Sequence, residues 1–400
     1  MTLDHVRTLS GGINQTGVRA YNERLILSIL QRNGGLPGSD LARRTGLSPQ
    51  TASVILRKLE QDGLLLKGAP VKGKVGKPSV PYVLNPDGIF SVGLKIGRRS
   101  ADLLVLDATG QVRHQLRHTY DYPLPGHVFG FLRDGFAELM DQMDDVMRAR
   151  LCGVGIAAPF ELWSWHELLD APPEDFAAWK DADFVAEVAR ITDLPVRLVN
   201  DATAACRAEH VFGIGREYRD YIYFFLGAFV GGGVVLDHTV FEGNQKNAGA
   251  FGTMPVADLQ GKPGHLIDLA SIWTLETRLI EAGEAPRQLW RQPQDWSHLE
   301  RFVVPWLEQT ADALAIACVA SCAVIDVEAV VIDGAMPPSI RARLVEITAA
   351  ALETKDMRGL FRPQMAEGQI GANARGIGAA TSPIIGQFLL DRSAAMFEQP

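Results

Sequence analysis

The sequence predicts an α/β protein with a small helical head at its N-terminus. Three observations support this prediction: capped amphipathic helices follow one another within the first 63 residues, strand and helix patterns alternate after Asn85, and the two regions carry opposite charge. Alternation of strands and helices is typical of α/β architecture. A chain of 400 residues is too long for one ordinary core, so we expect two or three domains.

Three helices are predicted in the head. Residues 21–33 place apolar side chains at helical spacing, and Gly34 and Gly35 end this helix. Ser39 caps a short second helix, and Gly46 makes the turn that follows it. The third helix starts after an N-capping serine and a first-turn proline, and its predicted buried stripe is Val54, Ile55 and Leu59. This order of helices and turns is that of a helix-turn-helix.

The charge of the chain is strongly asymmetric. Residues 1–84 contain 12 Lys and Arg against 5 Asp and Glu, a net charge of +7, and the remainder carries 27 against 42, a net charge of −15. A basic head on an acidic body indicates that the head binds a polyanion, whereas the alternative is a solvated basic segment.

The head has the residues that would read and grip double-stranded DNA. Short polar side chains at the start of the third helix suit base edges, and basic side chains suit phosphates. A lysine-rich hairpin follows the helix as a candidate wing. The predicted DNA contacts are Arg43, Arg44, Ser48, Gln50, Thr51, Ser53, Arg57, Lys58, Lys72, Lys74 and Lys77. The alternative is a small helical bundle with a basic surface.

Composition describes a globular protein, with 47% hydrophobic and 22% charged residues. No secretory signal and no run of about 18 apolar residues is evident, so we expect a cytoplasmic protein with no membrane partner. Unpaired cysteines fit a reducing compartment. They are Cys152, Cys206, Cys318 and Cys322.

The body repeats a strand, glycine turn, strand unit. It appears in SVGLKIGRRSADLLVLD and again in YIYFFLGAFVGGGVVLD, and LPVRLVNDATAACRAE reads as a strand running into a helix. In the order and spacing of its motifs, the chain resembles the regulator branch of the ROK family (repressors, open reading frames and sugar kinases). The motifs that carry the resemblance are these three segments together with GLSPQTASVILRKLEQDGLL, GVGIAAPF, AGAFGTMPV and ARGIGAATSP. The resemblance covers nearly everything from Asn22 to Phe388 and implies an actin-like, two-lobed α/β domain behind a winged helix-turn-helix.

The resemblance implies four segments. Residues 1–20 form an arm, 21–85 the winged head, 86–200 the first ROK lobe, and 201–400 the second lobe with dimerisation and effector sensing, its last helices returning to the first lobe. We therefore expect a homo-oligomer, most simply a dimer, because symmetric operators present two half-sites.

The phosphate and zinc motifs of ROK kinases are degenerate in this chain. Lys95 stands where the family has a metal-binding acid, Ala228 and Phe229 interrupt the second phosphate loop, and Asp333 replaces a glycine in the third. The zinc ligands correspond to Thr253, Asp258, Gln260 and His265, which do not make a tetrahedral nitrogen and sulfur site. We expect no catalytic residue, no metal and no cofactor.

The sugar site is partly retained. Asn200 and Asp201 match the family's sugar-binding pair, although a helix N-cap without a ligand is the alternative. The other three sugar-binding positions are Ala250, Thr253 and Ile267. The predicted effector contacts are Asn200, Asp201, Trp163, Asn247 and His265. Trp163 could instead seal a hinge or interface, and His265 could be a packed polar residue.

Three functions follow from these observations. The first is a repressor of carbohydrate uptake or catabolism genes whose body senses a sugar, polyol or sugar phosphate. The second is a sugar kinase with a fused DNA-binding head, supported by Asp201. The third is a constitutive DNA-binding protein whose body takes no ligand. Lys95, Arg98 and Arg99 would suit an anionic effector, but a solvated surface turn is the preferred interpretation of that segment.

Overall fold

The computed structural model describes residues 15–70, 79–159, 162 and 173–390. This part of the chain forms two compact units. The first runs up to Gly88 and also includes Phe388–Leu390, and the second spans Ile89–Gln387.

The described residues of the first unit form three helices and a small antiparallel sheet with the strand order β1-β3-β2. Its elements are α1 (Gln15–Asn33), β1 (Leu36–Pro37), α2 (Gly38–Thr45), α3 (Pro49–Gln61), β2 (Leu65–Lys67) and β3 (Pro81–Leu84). Gly46 adopts a left-handed φ of 70° after α2, and the Ser48 hydroxyl accepts a hydrogen bond from the Thr51 amide at 3.1 Å. The predicted helix, turn, helix order is confirmed. The predicted Ser39 cap is wrong, because α2 begins at Gly38 with Pro37 at the N-cap position and no side-chain cap.

The apolar faces of the three helices form the core of the first unit. Its buried residues include Ile26, Leu30, Leu41, Ala52, Ile55, Leu56 and Leu59. The prediction that Val54 is buried is wrong, because its side chain is 59% exposed. The buried positions of α3 follow the i, i+3, i+4, i+7 spacing of one helix face, and Val54 falls outside that face.

The end of the described chain packs into the same unit. The Arg24 guanidinium of α1 donates to the Leu389 carbonyl at 2.8 Å, and the Leu390 amide donates to the Ser28 hydroxyl at 2.8 Å. The segment after the last helix is therefore part of the head.

The second unit has two sheets with one strand pattern, three antiparallel strands followed by two parallel ones. The orders are β6-β5-β4-β7-β8 and β11-β10-β9-β14-β15. The strands are β4 (Phe90–Ile96), β5 (Ser100–Asp107), β6 (Val112–Thr119), β7 (Leu151–Ala158), β8 (Val196–Asn200), β9 (Tyr221–Leu226), β10 (Val230–Leu236), β11 (Thr239–Phe241), β12 (Pro255–Ala257), β13 (Pro263–His265), β14 (Ala329–Gly334) and β15 (Gln364–Glu367), of which β12 and β13 pair separately. Two lobes of one design confirm the predicted two-lobed α/β domain.

Helices cover these sheets. They are α4 (Pro125–Gln142), α5 (Asp145–Ala149), α6 (Pro173–Ala177), α7 (Phe184–Ala189), α8 (Asp201–Phe212), α9 (Leu266–Ala270), α10 (Ile272–Glu281), α11 (Glu300–Val324), α12 (Pro338–Glu353) and α13 (Ala374–Phe388). In the first lobe, Val128, Leu132 and Leu139 of α4 join the core of buried strand residues.

The last helix makes backbone contact with the first lobe. A Cβ atom on Gly155 of β7 would lie 1.8 Å from the Ala379 carbonyl oxygen, and one on Gly378 would lie 1.7 Å from the Ala204 carbonyl oxygen. Only glycine permits such close approach. This packing brings the start of α13 beside the start of α8.

One apolar segment, Ser297–Val324, is long and apolar enough to cross a membrane by length and composition alone. In the structure, 56% of its most apolar stretch is buried inside the protein, as in the core helix of a globular domain.

Candidate functional site

Helix α3 presents a polar face to solvent. Its exposed residues include Gln50, Thr51, Ser53, Arg57 and Lys58. They occupy the turns that a recognition helix places against base edges and backbone. Ser48 is exposed too, but its hydroxyl bonds to the Thr51 amide and hydroxyl, so its role within the fold is to cap the helix.

Several predicted phosphate contacts already have partners inside the head. These are Arg43 with Asp40 at 2.9 Å, Arg44 with the Asn33 side-chain oxygen at 2.8 Å, and Lys58 with Asp62 at 2.5 Å. Exposed contacts of this kind contribute little stability, so DNA phosphates can replace the partners. Lys72, Lys74 and Lys77 lie outside the described residues.

A cavity of about 70 Å³ lies in the second unit. Its lining includes Arg98, Asp201, Phe225, Phe229, Val230 and Arg375. It lies where the turns of the β4–β5 and β9–β10 hairpins meet the first turns of α8 and α13. Two charged side chains of the lining form an ion pair, in which Arg375 Nη1 donates to Asp201 Oδ2 at 3.1 Å.

Asn200 acts as the helix cap that the sequence left as an alternative. Its side-chain oxygen accepts hydrogen bonds from the amides of Ala202 at 3.0 Å and Thr203 at 3.2 Å. The cap fixes the first turn of α8, and the Asp201 side chain lines the cavity from that turn. A ligand role for Asn200 therefore has to coexist with the cap.

The β4–β5 hairpin buries its cations. Lys95 is 8% exposed and donates to Asp102, its cross-strand neighbour, at 2.9 Å. Arg117 of β6 is paired with the same carboxylate. Burial lowers the pKa of Lys95 to about 8, although the Asp102 charge acts in the opposite direction. An ammonium group tied in this way cannot replace a metal-binding acid.

The interpretation of KIGRRS as a solvated surface turn is wrong. Arg98 is 9% exposed and its guanidinium is bonded to the buried Glu276 of α10, which also accepts from Arg99 at 3.3 Å. The Trp290 indole donates to the same carboxylate. The reason is tertiary, because α10 supplies the acid that lets the arginine leave water.

The β9–β10 turn is held by the start of α10. The carbonyls of Gly227 and Ala228 accept hydrogen bonds from the amides of Ile272 at 3.1 Å and Trp273 at 3.0 Å. The ring of Phe229 lies 6.2 Å from the Trp273 ring and also lines the cavity. This glycine-rich turn thus carries an aromatic side chain that lines the cavity.

Asp333 is a structural acid in the second lobe. It is fully buried and accepts from the Tyr223 hydroxyl, the Gly371 amide and Arg341, each at 3.0 Å. Burial raises its pKa, while the Arg341 charge lowers it. These bonds tie β14 to the loop before α13.

Two family profiles match the sequence. That of the ROK family matches residues 91–381, well over half of the chain, and that of the winged helix-turn-helix DNA-binding family matches residues 19–65. The chain belongs to the ROK family. The resemblance inferred from the sequence motifs is thereby confirmed.

Known relatives include regulators. The ROK protein is 24% identical to the uncharacterized protein y4fQ of Sinorhizobium fredii over 92% of each chain. It is 25% identical to the xylose repressor of Bacillus subtilis over 61% of this chain and 62% of that one, less than two thirds of the repressor. A crystal structure of a ROK family transcriptional regulator, a homologue of the Escherichia coli MLC protein, has a TM-score of 0.64 at 18% identity, covering 93% and 98% of the chains. That structure establishes the shared fold, and the named relatives support a regulator over a sugar kinase.

The positions of the ROK zinc ligands have other roles here. The Thr253 hydroxyl donates to the Ala250 carbonyl at 2.9 Å, and Asp258 accepts the amides of Gln260 and Lys262 at 2.9 Å in a turn. Across the described ranges, no three His, Cys, Asp or Glu residues are grouped so that they could hold a metal ion. The absence of zinc stays a prediction.

The predicted effector contacts are only partly brought together. Asp201 lines the cavity, whereas Asn247 is half-buried and His265 is exposed, and neither belongs to the lining. His265 Nδ1 lies 3.7 Å from Asp268. Trp163 lies outside the described residues.

Arg375 and Glu276 were not among the predicted site residues, and the preferred prediction for Arg98 was a solvated surface turn. A signal for Arg375 existed, because it is the sole charged residue between Gly368 and Leu390. An isolated cation among small and apolar residues is buried only when it is paired. Nothing comparable marks Glu276, which lies between Leu275 and Thr277 in an ordinary amphipathic helix.

Proposed function

We propose that this ROK protein is a transcriptional regulator whose head binds operator DNA and whose body senses a small polar effector without phosphorylating it. The observation that carries the proposal is the exposed polar face of α3, with Gln50, Thr51, Ser53 and Arg57 opposite the face that closes the head core. A polar helix face beside basic residues matches the surface that reads the major groove.

We further propose that the protein represses carbohydrate uptake or catabolism genes. Support comes from the xylose repressor among its relatives and from the retained Asp201 in the cavity. Effector binding would shift a balance between DNA-competent and DNA-incompetent arrangements. One chain carries one recognition helix, so a symmetric operator requires a homodimer.

Loss of kinase activity is part of the proposal. Phosphoryl transfer requires metal-held phosphates and a base that accepts the proton of the attacking hydroxyl. Lys95 replaces the acid of the first phosphate loop, Phe229 interrupts the second phosphate loop and lines the cavity, and Arg375 pairs with the Asp201 carboxylate. Each of these features opposes a different requirement of the reaction.

The test is operator binding by full-length protein to a duplex selected from random sequence. We expect Arg57→Ala to weaken affinity about tenfold or more, because a lost base or phosphate contact costs about 1–3 kcal/mol. Fluorescence anisotropy at physiological salt measures the change, with two chains bound per palindromic duplex. The matched control is Arg301→Ala, an exposed ion-paired arginine of the second unit. Unchanged affinity in both Arg57→Ala and Gln50→Ala would refute the proposed head.

A further inference from the structure

The cavity is lined by two buried arginines with donors left over. Arg98 is 9% exposed and Arg375 is 8% exposed. One end of each guanidinium is paired, Arg98 with Glu276 and Arg375 with Asp201. Within the described part of the chain, the Nε atoms of both are buried and have no hydrogen-bond partner. Burying a donor without a partner is unfavourable, so a ligand that accepts hydrogen bonds from these atoms would be stabilised here.

Charge around the cavity is positive in an otherwise acidic body. The charged residues of the lining are Arg98, Arg375 and Asp201, two cations against one carboxylate. Glu276, which pairs with Arg98 and Arg99, brings the total to three cations against two carboxylates. An anion would stabilise the excess positive charge, because isolated buried ions are costly.

Two helix N-termini add to this field. Asp201 is the first residue of α8, which has 12 residues, and Arg375 is the second residue of α13, which has 15. The N-terminal turn of a helix carries partial positive charge and favours anions. An arginine is disfavoured at such a position by itself, which points to a ligand or partner that compensates.

We propose that this cavity binds the oxyanion group of a small polyol-like effector, a phosphate or a carboxylate, through Arg98 and Arg375. The inference rests on the proposed effector-sensing role and names its ligand class. Arginine forks suit both oxyanions because they donate two parallel hydrogen bonds. Phe225 and Phe229 supply an apolar wall for the carbon skeleton. The volume of about 70 Å³ suits a head group rather than a whole sugar ring.

In this proposal the Asp201 carboxylate opposes ligand binding, whereas in a site for neutral sugars it would support binding. The carboxylate pairs with Arg375, so an incoming oxyanion would compete with it for the guanidinium. Removing that charge should therefore favour the anion. In a site for neutral sugars the same carboxylate would accept hydroxyl protons, and removing it should weaken binding.

The experiment is calorimetric titration of full-length protein with glucose 6-phosphate, glucuronate, inorganic phosphate and neutral glucose. We expect at least one anionic probe to bind and glucose to bind at least about tenfold more weakly. Added salt should lower the affinity for the anion. The phosphate and carboxylate arms distinguish the two sources of the oxyanion. Failure of every anion to bind, or equal affinity for glucose, overturns the proposal.

Variants make the assignment specific. Arg375→Gln should lower the affinity for the anion about tenfold or more, and Asp201→Asn should raise this affinity. Arg343→Gln, which changes a half-buried arginine paired with Glu300 outside the cavity lining, is the control and should leave affinity unchanged. Because Arg375→Gln could disturb folding, Asp201→Asn decides independently, and weaker anion binding in that variant overturns the proposal.

Operator binding by the same preparations separates this inference from the proposed function. Operator binding without anion binding refutes the ligand class alone. Anion binding without operator binding refutes the regulator and leaves the anion site standing.

Discussion

At the scale of residues, the second unit depends on buried charges that hold loops together. Glu209 is fully buried and accepts the amides of Ile214 at 2.7 Å, Gln369 at 3.0 Å and Ile370 at 3.2 Å. Burial, with the negative charge of Asp333, raises the pKa of Glu209 to about 7, although the amides act in the opposite direction. This carboxyl titrates near neutrality and lies beneath the loop that leads to α13.

Glu209 should make stability depend on pH. Its folded pKa of about 7 exceeds the ordinary 4.5, so the folded state holds the proton more tightly. The contribution of Glu209 protonation to the free energy of unfolding is fully present below about pH 4.5. It is lost as pH rises through about 7, and the loss is on the order of 3 kcal/mol. We expect the stability difference between wild type and Glu209→Gln to fall across this window in urea denaturation. Glu308→Gln, at an exposed position, should show no such window. A pH-independent difference for Glu209→Gln would contradict the prediction.

At the scale of elements, turns and caps decide where functional side chains begin. Ser48 starts α3, Asn200 starts α8, and Gly46 permits the left-handed turn between α2 and α3. These local signals are readable in the sequence because each involves residues within a few positions. The partners of the β4–β5 turn are not readable in this way, since Glu276 comes from α10.

The cap on α3 gives a prediction at this scale. Ser48→Ala removes the acceptor for the Thr51 amide and should destabilise the helix by about 1 kcal/mol. Ser48→Asp should retain the cap. Hydrogen exchange of the first-turn amides measures the effect. Equal protection in Ser48→Ala and wild type would show that the cap contributes nothing.

At the scale of the whole molecule, a basic head is joined to an acidic body. The net charges of +7 in residues 1–84 and −15 in the remainder direct a polyanion toward the head. The body keeps the two-lobed fold of a phosphotransferase, but its cavity is lined by two arginines and two aromatic rings. A fold can keep its lobes while the chemistry at their junction changes.

The change of chemistry predicts that the protein does not consume ATP. With a panel of hexoses and hexosamines, we expect no turnover above that of an Asp201→Ala variant. Lys95 stands in place of the metal-binding acid and pairs with Asp102, and Arg375 pairs with the Asp201 carboxylate that would accept the substrate proton. A coupled assay for ADP measures it, with a ROK sugar kinase as positive control. Sugar-dependent turnover that Asp201→Ala abolishes would establish the kinase alternative.

Local sequence patterns by themselves determined the helix-turn-helix, the glycine turns and the alternation of strands and helices. These features depend on side chains a few residues apart, so spacing and residue type are sufficient to predict them. The resemblance to the ROK family identified the departures from the kinase motifs and singled out Asp201, whose side chain lines the cavity.

Only the tertiary structure decided what the arginines do. Arg98 meets Glu276 across 178 residues, and Arg375 meets Asp201 across 174. A guanidinium can be buried when a distant carboxylate reaches it, and the cost of burial then makes the pair and its leftover donors specific. Whether KIGRRS lay in solvent or in a cavity therefore depended on the folding of α10 and α13 against it.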